Sequence, residues 1–128
     1  MTTVVRTEEA PAPFQGAPYS QAIVAGGFVF VSGQLALRPG DTAIEATDIG
    51  AQTEQVFANI RAILEAAGTS LDRLVKTTVF LQSLGDFAGM NEVYAKHVGE
   101  RPPARSTVEV AKLPSGALVE IEAVAALE

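Results

Sequence analysis

The sequence predicts an α+β domain: a single mixed sheet in the order β-β-α-β-α-β-β, with two helices on one face. Three observations predict it. Two apolar runs, AIVA and FVFVSGQLAL, flank Gly26-Gly27, a strong signal for a tight hairpin. Two stretches with helical apolar spacing each stand between strand-like runs, so right-handed crossovers set both helices on the same side of the sheet. The strands are apolar on both faces, while the chain supplies helices for only one.

The 128 residues make one domain, 1–128, long enough to bury a substantial core. With 48% hydrophobic and 19% charged residues, a folded globular protein is expected. There is no cysteine, which removes disulfides, thiolate metal sites and a cysteine nucleophile together, and the single histidine makes no His-rich metal site. The expectation is no metal and no cofactor. No run approaches the roughly 20 apolar residues of a membrane span. The start, MTTVVRTEEAPAPF, lacks a basic segment followed by an apolar one, so a cytoplasmic protein with no membrane role is expected. Net charge is −6 and the nine Lys and Arg are scattered, which weighs against nucleic acid as a partner.

Residues 1–13, with Pro11 and Pro13, read as an arm or short edge strand. Ala17-Pro18-Tyr19-Ser20 is a turn or extended entry, because proline drives the preceding residue out of helical space. The hairpin about Gly26-Gly27 follows, and Arg38-Pro39-Gly40-Asp41 closes its second strand. Alternation sets Phe28, Phe30, Ser32 and Gln34 on one side of that strand, with Val29 and Val31 on the other. Asp48 is the predicted N-cap of a helix that runs to Ala67 and stops at Gly68, with Ile49, Val56, Ile60, Ile63 and Ala67 at helical spacing. Leu71–Leu81 is a strand with the β-rich core LVKTTVFL; Val75, Thr77, Val79 and Leu81 oppose Leu74, Lys76, Thr78 and Phe80. The second helix spans Phe87 to Val98, with Phe87, Met90, Tyr94 and Val98 on one side, and Gly99 ends it. Two strands close the chain, at about 105–110 and 117–127, joined by a Pro/Gly loop. A sheet apolar on both faces but covered on one predicts an oligomer.

Charges inside those closing strands are costly to bury without a partner or a task. Arg105, Thr107 and Glu109 share one face. Leu118, Glu120, Glu122 and Val124 share another, opposite a uniformly apolar set of Val119, Ile121, Ala123 and Ala125. The charged sets are expected on the side where a second subunit packs. Periodicity leaves two readings open: a cleft where Arg105 grips a planar anion and a carboxylate handles a proton, or an interface salt bridge. Glu122 reads as the partner of a neighbouring base, and His97, near a helix C-terminus, as structural.

PPARSTVEVAKLPSGALVEIEA resembles the signature of the RidA family, also called YjgF or L-PSP, small proteins that hydrolyse reactive enamines and imines. Ala17-Pro18-Tyr19 resembles that family's Gly-Pro-Tyr turn, VFVSGQLAL its Ser-Gly-Gln strand, and LVKTTVFLQSLGDFAGMNEVY its central strand and second helix. The resemblance covers nearly the whole chain from about Pro11. It implies a chorismate-mutase-like fold and a homotrimer whose sheets line a central barrel, with active sites between subunits. It implies that Arg105 binds a substrate carboxylate and that Glu120 positions or deprotonates the attacking water. Tyr19 and Asn91 would line the same cleft from the neighbouring chain, Ser32 and Gly33 would shape its floor, and Thr107 would sit against the imine. The implied substrates are imino or enamino acids carrying a carboxylate, such as 2-iminopropionate and 2-aminoacrylate. Two positions depart from the pattern: Ala17 replaces glycine, and Thr107 stands where the best-known members have cysteine, so no mechanism here uses a thiol. Two other readings attach to such chains, a catalytically silent ligand-binding or chaperone-like trimer and an endoribonuclease or translation inhibitor.

Overall fold

The computed structural model describes residues 1–128. Six strands form one sheet: β1 (Thr3–Val5), β2 (Ala22–Ala25), β3 (Phe28–Gln34), β4 (Leu74–Leu81), β5 (Ala104–Glu109) and β6 (Val119–Ala126). The helices are α1 (Ile49–Ala67) and α2 (Phe87–Val98). The expected order is present, and the N-terminal arm supplies the additional edge strand, antiparallel to β2. Spatial order is β1-β2-β3-β6-β4-β5. Only β4 and β5 pair in parallel; the other ladders are antiparallel. The sheet is therefore mixed, as expected, but the two closing strands are not neighbours. β6 enters the middle of the sheet, and β4 separates it from β5.

Local chemistry explains the boundaries. Gly26 and Gly27 both have positive φ, 59° and 84°, which a two-residue hairpin turn of the right twist requires. The Asp48 side chain accepts a hydrogen bond from the Ala51 amide at 2.8 Å, and Gly68 ends α1 in the left-handed region at φ 92°. Leu71–Arg73 winds as a short 3-10 turn, so β4 starts at Leu74 rather than Leu71.

The core lies between the sheet and the helices. Val56, Phe57, Ile60, Ile63 and Leu64 of α1 pack with Val79, Leu81, Ile121 and Ala125 of the sheet, and Met90 and Tyr94 of α2 join them. Burying each large apolar side chain contributes about 1.5–3 kcal/mol. Three polar side chains of α1 are buried, Gln52, Thr53 and Asn59, and the first and last reach across the fold. Gln52 accepts from the Leu118 amide at 2.8 Å and donates to the Ala46 carbonyl at 3.0 Å. Asn59 donates to the carbonyls of Leu35 and Leu37, at 3.1 and 2.8 Å. They tie the connection after β3 to the helix.

The face away from the helices is open. Phe28, Phe30, Val75 and Val108 are exposed on it or at its rim, and Phe28 and Phe30 lie 6.5 Å apart by ring centroids. Two register shifts alter the expected alternation. Between Val31 and Gln34, β3 carries one residue more than β6, so Gln34 pairs with buried Ile121 and turns into the core instead of sharing a face with Phe28 and Phe30. At Val75 a second extra residue sends Leu74 inward, and Val75 is left exposed. No helix is long and apolar enough to cross a membrane.

Candidate functional site

The residues singled out in the sequence gather into two groups. The first is a cleft on the open face of the sheet, lined by Tyr19, Ser32, Gly33, Glu120 and Glu122 together with the apolar Phe14, Leu35, Leu37 and Pro114. Glu120 reaches it because β6 alternates cleanly: Val119, Ile121, Ala123 and Ala125 are buried toward the helices, and Glu120 and Glu122 point the other way. The bulge in β3 brings Ser32 and Gly33 beside that carboxylate. The approach is so close that a Cβ on residue 33 would overlap Oε2 of Glu120. Burial raises the Glu120 pKa above the ordinary 4.5, and the neighbouring charge of Glu122 raises it further. Glu122 makes no ion pair within the chain.

Ser32 is fixed by two bonds to the segment before β2. Its hydroxyl donates to the Ser20 carbonyl at 2.6 Å, and its amide donates to the Gln21 carbonyl at 2.9 Å. The Tyr19 hydroxyl accepts from the Phe14 amide at 2.6 Å, which closes a loop containing Gln15 and Gly16, both at positive φ. Gln21 holds the arm in place: its amide group bonds both backbone groups of Thr7 and the carbonyls of Ala10 and Pro11.

The second group lies between α2 and β5. Asn91, Tyr94, Pro103 and Arg105 line this cleft. The Arg105 guanidinium stands 4.7 Å from the Tyr94 ring centre and 5.5 Å from that of Phe87. Arg105 makes no ion pair with any acid of the chain. Thr107 is two residues along, and its hydroxyl oxygen is buried without a hydrogen-bond partner.

Arg105 and Glu120 thus stand on opposite faces of the sheet. Arg105, Thr107 and Glu109 do share a face, but it is the helix side, not the open one. The reason is register. β5 pairs with β4 so that Arg105 lies beside Thr77 and Thr107 beside Val79, and both partners are fully buried under the helices. Glu120 pairs with Phe80, whose side chain points the other way. The expected grouping also changes: Tyr19, Ser32 and Gly33 go with Glu120, whereas Asn91 and Thr107 go with Arg105.

Phe87 and Tyr94 read in the sequence as the apolar face of α2, and the structure sets both rings against the Arg105 guanidinium. Their spacing of seven residues ahead of an arginine-bearing strand was the available signal. Glu109 takes a structural task, accepting from the Leu84 amide at 2.9 Å where the chain turns into α2. No group of three or more His, Asp or Glu side chains converges to hold a metal ion.

The family model described as Endoribonuclease L-PSP matches residues 7–127. The chain belongs to the L-PSP family. Among relatives of this L-PSP protein, a RutC family protein of Pyrococcus horikoshii is 54% identical, with 98% of each chain covered. The chloroplastic Reactive Intermediate Deaminase A of Arabidopsis thaliana is 48% identical over 97% of this chain and 65% of its own length. Among solved structures, RidA from the Antarctic bacterium Psychrobacter sp. superposes with a TM-score of 0.89 at 46% identity, covering 97% of this chain and 98% of that one. This L-PSP protein thus shares its sheet and both helices with the RidA type, in keeping with the resemblance read from its motifs.

Proposed function

We propose that the protein hydrolyses reactive 2-imino and 2-enamino acids to 2-keto acids and ammonia, in clefts completed by association of three copies around a central barrel. One observation carries this reading: a half-site with a carboxyl whose pKa burial raises and a half-site with an acid-free guanidinium lie on opposite faces of one chain. A neighbouring copy is what brings two such halves together, and the apolar open face with Phe28, Phe30 and Val108 offers the surface for it. The Arabidopsis relative named as a reactive intermediate deaminase supports the same chemistry.

In this reading Arg105 of one copy grips the substrate carboxylate through paired N–H donors, which orients the adjacent C=N carbon. Asn91 lines the same cleft, and Thr107 follows Arg105 along β5 with its hydroxyl buried and unpartnered beneath it. Glu120 of the next copy holds a water. As the water oxygen adds to the imine carbon, its proton passes to the Glu120 carboxylate and on to nitrogen. The carbinolamine then loses ammonia and leaves the keto acid. An enamine first takes a proton at carbon, and a carboxyl with raised proton affinity is suited to deliver it. Tyr19, Ser32 and Gly33 shape the wall behind the water.

The family's ribonuclease description fits the chain less well. Its net charge of −6 opposes a phosphate backbone, and no basic stripe replaces the missing charge. The test uses 2-iminopropionate generated in place by an amino-acid oxidase. Arg105→Ala and Glu120→Gln are each expected to slow its conversion by at least about 100-fold while the assembly survives size-exclusion chromatography. Full activity in Arg105→Ala would sink the proposal.

A further inference from the structure

Arg105 is held in an unusual way for a site cation. Buried or half-buried arginines ordinarily find a carboxylate, and this one finds two aromatic rings, Tyr94 and Phe87. The difference has a chemical consequence. A resident carboxylate would occupy the guanidinium's donors and would have to be displaced by an incoming anion. An aromatic face attracts the positive charge but leaves every N–H donor unspent.

Tyr94 itself is rigidly placed. It is 5% exposed, its hydroxyl shares a 2.6 Å hydrogen bond with the Thr77 hydroxyl, and its ring meets Phe57 edge-on at 5.3 Å. Phe57 is stacked in turn on His97, 4.7 Å away, which pairs with Glu54. Thr77 is also the register partner of Arg105 across the β4–β5 ladder. The residue that latches the ring and the residue the ring carries are therefore neighbours on adjacent strands, and the three side chains form one closed unit.

We infer that Tyr94 is a positioning residue: latched by Thr77, its ring holds the Arg105 guanidinium at the α2–β5 cleft with its donors free for a carboxylate. This rests on the proposed reading of Arg105 as the carboxylate grip. Phe87 closes the other side of the guanidinium.

The test measures calorimetric binding of 2-oxobutanoate and of its neutral analogue 2-oxobutanamide to the full-length protein. Tyr94→Leu is expected to weaken 2-oxobutanoate binding about tenfold and to leave 2-oxobutanamide unchanged. In an Arg105→Ala background the same substitution is expected to add nothing, because its effect passes through the guanidinium. Tyr94→Phe keeps the ring and loses only the latch, so its loss should stay within about threefold. In turnover of 2-imino acids, Tyr94→Leu should raise KM by more than it lowers kcat, because the guanidinium both binds and orients the carboxylate. Equal weakening of both ligands, or additivity with Arg105→Ala, overturns the inference.

Should Tyr94→Leu fail to fold, Phe87→Leu takes its place in the same cycle with the same expectation. The wild-type Arg105 Nε–H proton supplies a further readout: ring currents should move it upfield, and an ordinary position counts against the aromatic seat. A protein that passes the binding cycle but hydrolyses no imine would defeat the proposed function and leave the role of Tyr94 standing. One that hydrolyses imines with an additive cycle would do the reverse.

Discussion

Glu120 occupies space that any side chain at position 33 would need. Gly33→Ala is therefore expected to push the carboxylate aside without touching Arg105. A displacement of this kind costs kcat about 100-fold, with KM for a carboxylate substrate nearly unchanged; steady-state kinetics on 2-iminopropionate checks it, and a rise in KM alone would argue against the placement. Glu120 also carries a pH signature. Burial, then Glu122, raises its pKa in the folded chain. A carboxyl whose folded pKa is raised binds its proton more tightly folded than unfolded, so this group's contribution is intact below the unfolded value and is lost as pH rises through the folded one. Glu120→Gln removes that penalty. Its melting temperature should exceed that of the wild type near neutral pH, and the difference should vanish below the ordinary value of 4.5. Because the group is only half-buried, the gain at neutral pH should stay under about 1 kcal/mol. At this scale the sequence was informative in a particular way. The alternation of β6 placed Glu120 and Glu122 correctly, and their separation by two residues signalled two like charges side by side. That the cleft buries one of them depends on the arm around Tyr19 and the bulge at Ser32-Gly33, neither of which leaves a periodic trace.

Elements position the site where they depart from regularity. An isolated glycine in a strand pattern is a bulge signal, and Gly33 carried it; yet the extra residue turns Gln34 into the core, and an unbroken period of two had placed Gln34 outside. Val75 repeats the effect in β4 with no glycine to announce it. The apolar stripe of α1 was plain, but the polar residues inside it, Gln52 and Asn59, acquire meaning only from the carbonyls and amides they meet across the fold. Asn59 is 1% exposed and satisfies two carbonyls of the segment that supplies Leu35 and Leu37 to the cleft wall. Asn59→Leu keeps the branched heavy-atom skeleton, adds bulk at a buried site and leaves both carbonyls unmet, so it should lower stability by about 1–3 kcal/mol. Urea unfolding checks this: the midpoint should fall with the slope unchanged, and an unaltered midpoint would show that water replaces the side chain at no cost.

At the scale of the whole molecule, the argument turns on strand order. The run of strands and helices was legible because each is short-range, written in hairpin glycines, caps and apolar periods. The insertion of β6 between β3 and β4 is long-range, and nothing local in Val119–Ala126 specifies its neighbours. Yet that insertion, with β5 displaced to the edge beside β4, decides that Arg105 and Glu120 face opposite ways. On the proposed reading a single chain carries two half-sites, and a closed ring of identical copies would complete each one at a junction. This makes a prediction that does not depend on any one side chain's energetics. Arg105→Ala and Glu120→Gln subunits should each be inactive alone. Unfolded together, mixed in equal amounts and refolded, they should recover about a quarter of wild-type activity, because random assembly pairs an intact Arg105 with an intact Glu120 at one junction in four. Were both residues of a site supplied by the same chain, no mixed assembly would contain an intact pair and the recovery would be nil. Substituting Phe30→Asp in both subunits before mixing should abolish the recovery along with the assembly, since it sets a charge on the open apolar face that the proposal assigns to the subunit contact.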